Sequence, residues 1–190
     1  MKRKLRLAFV LAALLGLTFI GLAALQSDRP AKGTVGGLVS GAGAIPPGNP
    51  KVALDVTSTA PRQVEDSTQR AIIRDYGRAW HDMADALEQN RTDGLPASFI
   101  GIAQQKLADR IAAQRNAGLS TRIVDHGHHV QAVFYSPEGS AMELHDVAQL
   151  ELQLLDRGNV VSTQNVTANY VALMTVAEDH WKVRVLQEAQ

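Results

Sequence analysis

The segment Asp125-His126-Gly127-His128-His129 is the densest group of metal-type ligands in the chain. Imidazole and carboxylate groups are ligands that zinc favours, and strand residues two apart point the same way. His126 and His128 could therefore converge, with His145 on a neighbouring strand as a third ligand. The alternative is an ordinary exposed strand on which Gly127 marks a β-bulge. Because histidine changes charge near pH 6.5, a pH-sensitive patch is a further alternative.

Aromatic residues form a second candidate site. Tyr76 and Trp80 belong to an apolar stripe with helical spacing, which predicts an amphipathic first helix. Together with Tyr170 they could line a ligand pocket, although such a stripe more often faces the core. We expect Trp80 and Trp181 to be buried between helix and sheet.

The elements that position these residues change type along the chain. Helical periodicity resumes at Leu95-Pro96 and ends at Gly118, and Gly101 divides this region. Beyond Gly118 the apolar residues alternate with polar ones, which predicts strands joined by tight turns. The strand at Met142–Leu154 shows this most clearly. The pattern predicts that residues 63–190 form an α+β domain, with helices packed on one face of a curved antiparallel sheet of about four strands.

The N-terminal region is of another kind. Leu7–Leu25 is uncharged and apolar, and it follows Lys2, Arg3, Lys4 and Arg6. Its length fits a single transmembrane helix, so residues 1–25 are predicted to be a cytoplasmic basic tip and an anchor. The alternative is a signal peptide that is cleaved near Leu22-Ala23-Ala24. Either interpretation exports the rest of the chain by the positive-inside rule.

Residues 26–62 are rich in proline and glycine and contain no aromatic residue. Such a composition is typical of flexible sequence, because too little apolar surface is available to form a core. We therefore predict a disordered linker from residue 26 to residue 62.

Composition excludes several classes of function. The chain has 190 residues with 19 basic and 19 acidic side chains, and it contains no cysteine. Balanced charge argues against a nucleic-acid-binding protein, which usually carries a basic excess. The lack of cysteine excludes disulfides, thiolate metal sites and a cysteine nucleophile. No cofactor is expected.

The order of these elements resembles the nuclear transport factor 2-like superfamily. The resemblance lies in the Tyr76/Trp80 helix, the broken helical region and the closing strand that contains Trp181-Lys182-Val183. It implies a cone-shaped domain in which a bent sheet wraps around the helices. The anchor, linker and single domain together are similar to bacterial single-pass members, including scaffold domains of type IV secretion and conjugation systems.

The resemblance also implies candidate catalytic residues. Superfamily enzymes such as ketosteroid isomerase place an aspartate base inside the cone, and Asp125 and Asp146 are the candidates here, with Tyr170 as a hydroxyl donor. Asp146 interrupts the apolar face of its strand. The alternative is that water reaches it at a bend or at the mouth of the cone, because a buried carboxylate needs a partner.

The sequence shows no persuasive nucleophile, metal-ligand set or phosphate loop, which favours a non-enzymatic scaffold or interaction domain of a bacterial envelope complex. Its partners would be the membrane, other envelope proteins or a second copy of itself, and its location would be the inner membrane with the C-terminal domain outside the cytoplasm. A small-molecule-binding or isomerase-like domain, and secretion after signal cleavage, remain the alternatives.

Overall fold

The computed structural model describes residues 51–189. The strands are β1 Val52–Asp55, β2 Ala60–Pro61, β3 Leu119–Tyr135, β4 Ala141–Asp156, β5 Asn159–Ala177 and β6 His180–Glu188. The helices are α1 Asp66–Gln89, α2 Leu95–Ser98 and α3 Gly101–Ala117. The α+β architecture predicted from the sequence is confirmed, with helices packed on a curved sheet.

Helix α1 provides the helical side of the core. Tyr76, Trp80 and Leu87 of its apolar stripe are at most 3% exposed, and the helix packs against β3 and β6. Asp75 fixes the same helix to the sheet, because its carboxylate accepts a hydrogen bond from the backbone N–H of Trp181 at 3.0 Å. Trp181 is 8% exposed, so the expected burial of both tryptophans is confirmed.

The second helical region is divided as predicted. Gly101 has φ +59°, a conformation that glycine adopts without steric cost, and it begins α3 after the short α2. Between the two helices, the N–H of Ile100 donates to the carbonyl of Val183 at 3.0 Å. The connection thereby lies along the outer edge of β6.

The sheet has six strands in the order β1-β3-β4-β5-β6, with β2 also paired to β3. The β3, β4, β5 and β6 strands form the predicted antiparallel meander. The prediction of about four antiparallel strands is incomplete, because β1 and β2 add two parallel pairings to the free edge of β3. The sheet is therefore mixed.

The boundary of the predicted linker is wrong at its C-terminal end. β1 and β2 lie within residues 26–62, and Val52, Leu54 and Val56 are half-buried against the core. Their alternation with exposed residues is a strand pattern that the proline and glycine content of the whole segment concealed. The rest of the predicted linker, and the predicted anchor at residues 1–25, lie outside the described residues.

Among residues 51–189, no helix is both long enough and apolar enough to span a bilayer.

Strand β5 is much longer than its neighbour β6. The register pairs Tyr170 with Glu188 and Ala177 with His180, so β6 covers only the C-terminal part of β5. The N-terminal part pairs with β4 alone. The N-terminal part of β5 thus has a strand neighbour on one side only among the described residues.

Candidate functional site

A buried polar cluster joins α1, β3 and β4 at the centre of the domain. His128 lies between two carboxylates, with Nδ1 2.7 Å from Oδ2 of Asp146 and Nε2 2.7 Å from Oδ2 of Asp125. The Tyr76 hydroxyl donates to the same oxygen of Asp146 at 2.8 Å. We call Tyr76, Asp125, His128 and Asp146 the polar cluster.

A β-bulge brings the two β3 members of this cluster onto one face. Asp125 and His128 are three positions apart, so they would point to opposite faces of a regular strand. The register shifts between Asp125 and Gly127, which leaves His126 as the extra residue. Gly127 has φ +140°, a conformation that other residues rarely adopt. The bulge predicted as an alternative at Gly127 is confirmed.

The register of β3 and β4 brings Asp146 to the cluster. His128 pairs with Ala148 and Val130 pairs with Asp146, which makes His128 and Asp146 diagonal neighbours on the same face. Both residues are 1% exposed. Asp146 therefore lies inside the core and not at a wet cone mouth, and its partners are the imidazole and the phenol.

The electrostatics of the cluster favour a charged imidazole. Burial lowers the pKa of His128, but hydrogen bonds and charge attraction from Asp125 and Asp146 outweigh that effect and raise it to about 9. Burial raises the pKa of Tyr76 well above its ordinary value, and the nearby Asp146 charge raises it further. The cluster is thus an imidazolium between two carboxylates, with a neutral phenol that donates to one of them.

Aromatic rings surround the cluster. The Trp80 ring lies 4.5 Å from the imidazole of His128 and 5.2 Å from the ring of Tyr170, centroid to centroid. Burial raises the pKa of Tyr170 to about 12, with Glu188 raising it further and Arg110 lowering it. The predicted aromatic residues therefore do come together, with Tyr76 in the polar cluster and the rings of Trp80 and Tyr170 beside it.

The interior beside these rings is filled. The gap bounded by Trp80, Met83, Phe99 and Leu186 has no room for a water molecule. The indole Nε1 of Trp80 and Oδ1 of Asp146 have no hydrogen-bond partner in the structure.

The polar cluster meets the surface at Asp125. Its side chain is 16% exposed, whereas those of His128 and Asp146 are fully buried. Asp125 borders an open depression of about 530 Å³, whose wall also includes Lys51, Trp80, Asp85 and His126. A ligand in this depression would contact the Asp125 carboxylate but would not reach the imidazole behind it.

The structure limits what the cluster can do chemically. A general base needs a free lone pair within hydrogen-bond reach of its substrate, but both ring nitrogens of His128 are occupied by carboxylates. Asp125 is the member that faces solvent, and its Oδ2 is already engaged by Nε2 of His128. The arrangement serves as a buried ion pair that ties α1, β3 and β4 together.

The predicted metal ligands do not converge. His126 is exposed in the bulge, and His145 is exposed on the opposite face of the sheet, where its Nε2 lies 3.1 Å from a Glu143 oxygen. Of the three, only His128 is buried. Within residues 51–189, no three His, Asp or Glu side chains are grouped so that they could hold a metal ion.

The sequence pointed to Asp125, His128, Asp146 and Tyr76 separately, but it did not pair them. The sequence did indicate that Asp146 has a buried partner, because a carboxylate on an apolar strand face requires one. The identity of that partner depended on the bulge, which changes the face of every later residue in β3.

No known family matches the chain. No curated protein matches it either.

The intermembrane space region of chloroplast protein ARC6 matches with a TM-score of 0.57 and 17% identity, over 67% of this chain and 98% of that one. A putative scytalone dehydratase from Novosphingobium aromaticivorans matches with a TM-score of 0.44 and 11% identity, over 66% and 89% of the two chains. A putative dehydratase from the NTF2-like family of Streptomyces avermitilis matches with a TM-score of 0.41 and 12% identity, over 65% and 97%. The last two scores are too low to support an argument.

These identities show the fold alone. The resemblance recognised in the sequence is confirmed at the level of fold alone, since the described domain shares its fold with the solved region of ARC6.

Proposed function

We propose that this protein is a non-enzymatic interaction domain, tethered to a membrane and exposed outside the cytoplasm. The observation that carries the proposal is the closed state of the polar cluster. Both nitrogens of His128 are bound to carboxylates, and the apolar interior beside it is filled. Residues of catalytic type are thereby used to hold the helix on the sheet, which leaves the outer surface for binding.

The proposed location rests on other observations. Four basic residues precede the uncharged run Leu7–Leu25, which supports an anchor with its N-terminus in the cytoplasm. The solved domain with a TM-score of 0.57 is itself described as an intermembrane space region of ARC6. A tether would raise the effective concentration of the domain near other envelope proteins.

Site-specific photo-cross-linking in the natural host tests the proposal. A photoreactive residue at Gln149, which is exposed on the outer face of β4, should give adducts of discrete protein size. The matched control carries the same group at exposed Lys106 on α3, where we expect none. Equal labelling from both positions, or no protein adduct from Gln149 or from the exposed Thr163 on β5, would contradict the proposal.

The second candidate is a small-molecule-binding or isomerase-like domain. The observation in its favour is the depression of about 530 Å³, a volume within the range of ligand sites, with Trp80 and the Asp125 carboxylate in its wall. Asp125 would accept a hydrogen bond from a polar or cationic ligand.

Native mass spectrometry of the full chain separates the two candidates. A discrete bound compound that is lost in Asp125→Asn, but kept in Asp109→Asn, an exposed control on α3 away from the depression, would favour the second candidate. Under the interaction-domain proposal, both variants show the mass of the polypeptide alone.

A further inference from the structure

Helix α3 carries a guanidinium group, that of Arg110, on its buried side. The buried residues of this helix are Ala103, Leu107, Ile111 and Gln114. Arg110 follows Leu107 by three positions and precedes Gln114 by four, so it lies on the same face of the helix. Its side chain is half-buried, and its Nε is buried without a hydrogen-bond partner in residues 51–189.

Arg110 differs from the other half-buried arginines of the described residues. Arg62 and Arg122 form ion pairs with Glu65 and Glu88, and these carboxylates raise the pKa of each arginine. No carboxylate of residues 51–189 forms an ion pair with Arg110, and burial lowers its pKa. Because a guanidinium that is removed from water without an acceptor is unfavourable, an acceptor from outside the chain would stabilise Arg110.

The sheet residues near Arg110 belong to one cross-strand row. Asp146 on β4 pairs with Tyr170 on β5, and Tyr170 pairs with Glu188 on β6, so their side chains share the face that the helices cover. The row runs from the core to the surface, since Asp146 is buried, Tyr170 is half-buried and Glu188 is exposed. Against the effect of burial, Tyr170 and Glu188 raise the pKa of Arg110. Arg110 therefore lies at the outer end of this row.

We propose that Arg110 and Tyr170 bind the carboxylate of a small organic acid at this end of the row. The guanidinium presents parallel N–H donors that match the two oxygens of a carboxylate, and the phenol supplies a further donor. Glu188 restricts the charge of the ligand, because it repels a singly charged carboxylate less than a doubly charged phosphate. None of these three residues borders the depression of about 530 Å³. The inference thus concerns a separate site and goes beyond the proposed function.

Apolar groups beside the donors favour an acid with an apolar body. Val166 and Leu186 are half-buried on the same sheet face as Tyr170, where they pack against the core. The Trp80 ring lies 5.2 Å from the Tyr170 ring, centroid to centroid. Since the interior beside Trp80 is filled, the ligand would lie at the surface end of the row. Benzoate, a flat aromatic carboxylate, is therefore a suitable probe.

An NMR titration with benzoate tests the site. The full chain is labelled with ¹⁵N in gentle detergent, and the indole N–H signals of its two tryptophans are followed. Trp80 lies beside Tyr170, whereas Trp181 lies at the other end of β6 and is the internal reference. Benzoate should shift the Trp80 signal with a Kd on the order of 1 mM. Benzamide, which has the same shape without the charge, should leave it unchanged.

Three substitutions separate the roles of the proposed residues. Arg110→Gln should weaken benzoate binding at least about tenfold, because the bidentate charged donor is lost. Tyr170→Phe should weaken it about threefold, and Glu188→Gln should strengthen it about threefold because a like charge is removed. The matched control is Arg115→Gln, which removes an exposed arginine of the same helix and should bind like the parent chain.

Several outcomes would overturn the inference. They are equal shifts with benzoate and benzamide, equal affinity of Arg110→Gln and Arg115→Gln, or no gain of affinity in Glu188→Gln. Glu188 is exposed, so its variant keeps the test decisive even if Arg110→Gln does not fold. Loss of the Trp80 shift in folded Asp125→Asn would place benzoate in the depression and would also reject this site. The interaction-domain proposal is tested separately, by protein adducts in the natural host.

Discussion

The two parts of strand β5 have different environments along one continuous chain. Residues 170–177 pair with β4 and β6 and lie under the helices, and Ala172 and Met174 are fully buried. Residues 159–169 pair chiefly with β4, and Val160 is about half exposed. Residues of similar β-propensity therefore form part of the core at 170–177 and an accessible strand edge at 159–169. What differs is the number of neighbours, which depends on where β6 ends.

The same comparison applies to polar groups. In the core, Asp146 and His128 carry opposite charges and hydrogen-bond directly. At the edge, Thr163, Gln164 and Asn165 are neutral and exposed to water. Charge is compatible with burial only where a partner is fixed, whereas neutral polar groups suit a strand edge that remains accessible. Substitutions in the two parts should therefore have very different costs.

The largest effect is expected from Trp80→Ala. The Trp80 ring contacts both His128 and Tyr170, and the side chain is 3% exposed. Removing it should lower the free energy of unfolding by about 3–5 kcal/mol, as aromatic truncations in cores do. Urea unfolding of the full chain, followed by the fluorescence of Trp181, measures the loss. A loss below about 1 kcal/mol would show that the site is not close-packed.

The polar cluster should make stability depend on pH. The pKa of His128 rises from 6.5 to about 9 in the folded state, so folding favours its protonated form. The stabilisation is full below pH 6.5, and it is lost as pH rises through about 9. The free energy of unfolding should fall by on the order of 3 kcal/mol across this range. In His128→Gln this fall should disappear, and an unchanged fall would exclude His128 as its source.

A smaller loss is expected from Gly127→Ala. A side chain at φ +140° strains the backbone of the bulge that places Asp125 and His128 on one face. The cost should be about 1–3 kcal/mol in urea unfolding, together with a weaker pH dependence. Gly94→Ala is the matched control, since Gly94 has φ −80° and no atom within 4 Å of an added Cβ. Equal losses in the two variants would mean that the bulge geometry is unimportant.

The smallest effect is expected in the N-terminal part of β5. Thr163→Lys should change the free energy of unfolding by about 0.5 kcal/mol or less at low protein concentration, because Thr163 is exposed. The measurement is urea unfolding under the same conditions as for Trp80→Ala. A loss comparable to that of a core substitution would show that this edge is covered within one chain.

The sequence by itself determined the type and order of most elements. Helical spacing predicted α1 from its stripe of Tyr76 and Trp80, and alternation in Met142–Leu154 predicted β4 to within two residues at either end. Gly101 and Gly118 marked real helix boundaries. These features are local, because the spacing of apolar residues along the chain directly reflects which face of a helix or strand is buried.

Only the tertiary structure decided how these elements combine. The strand pattern of β1 is short, and the burial of β1 depends on its pairing with β3. In that pairing Val52 lies opposite His128, which is more than 70 positions away in the chain. The pairing of His128 with Asp125 and Asp146 depends on one extra residue at the Gly127 bulge and on the register of β3 with β4. The accessible side of the N-terminal part of β5 depends on β6 ending opposite Tyr170. Each is set by contacts between distant segments, for which the residue pattern within a single element carries no information.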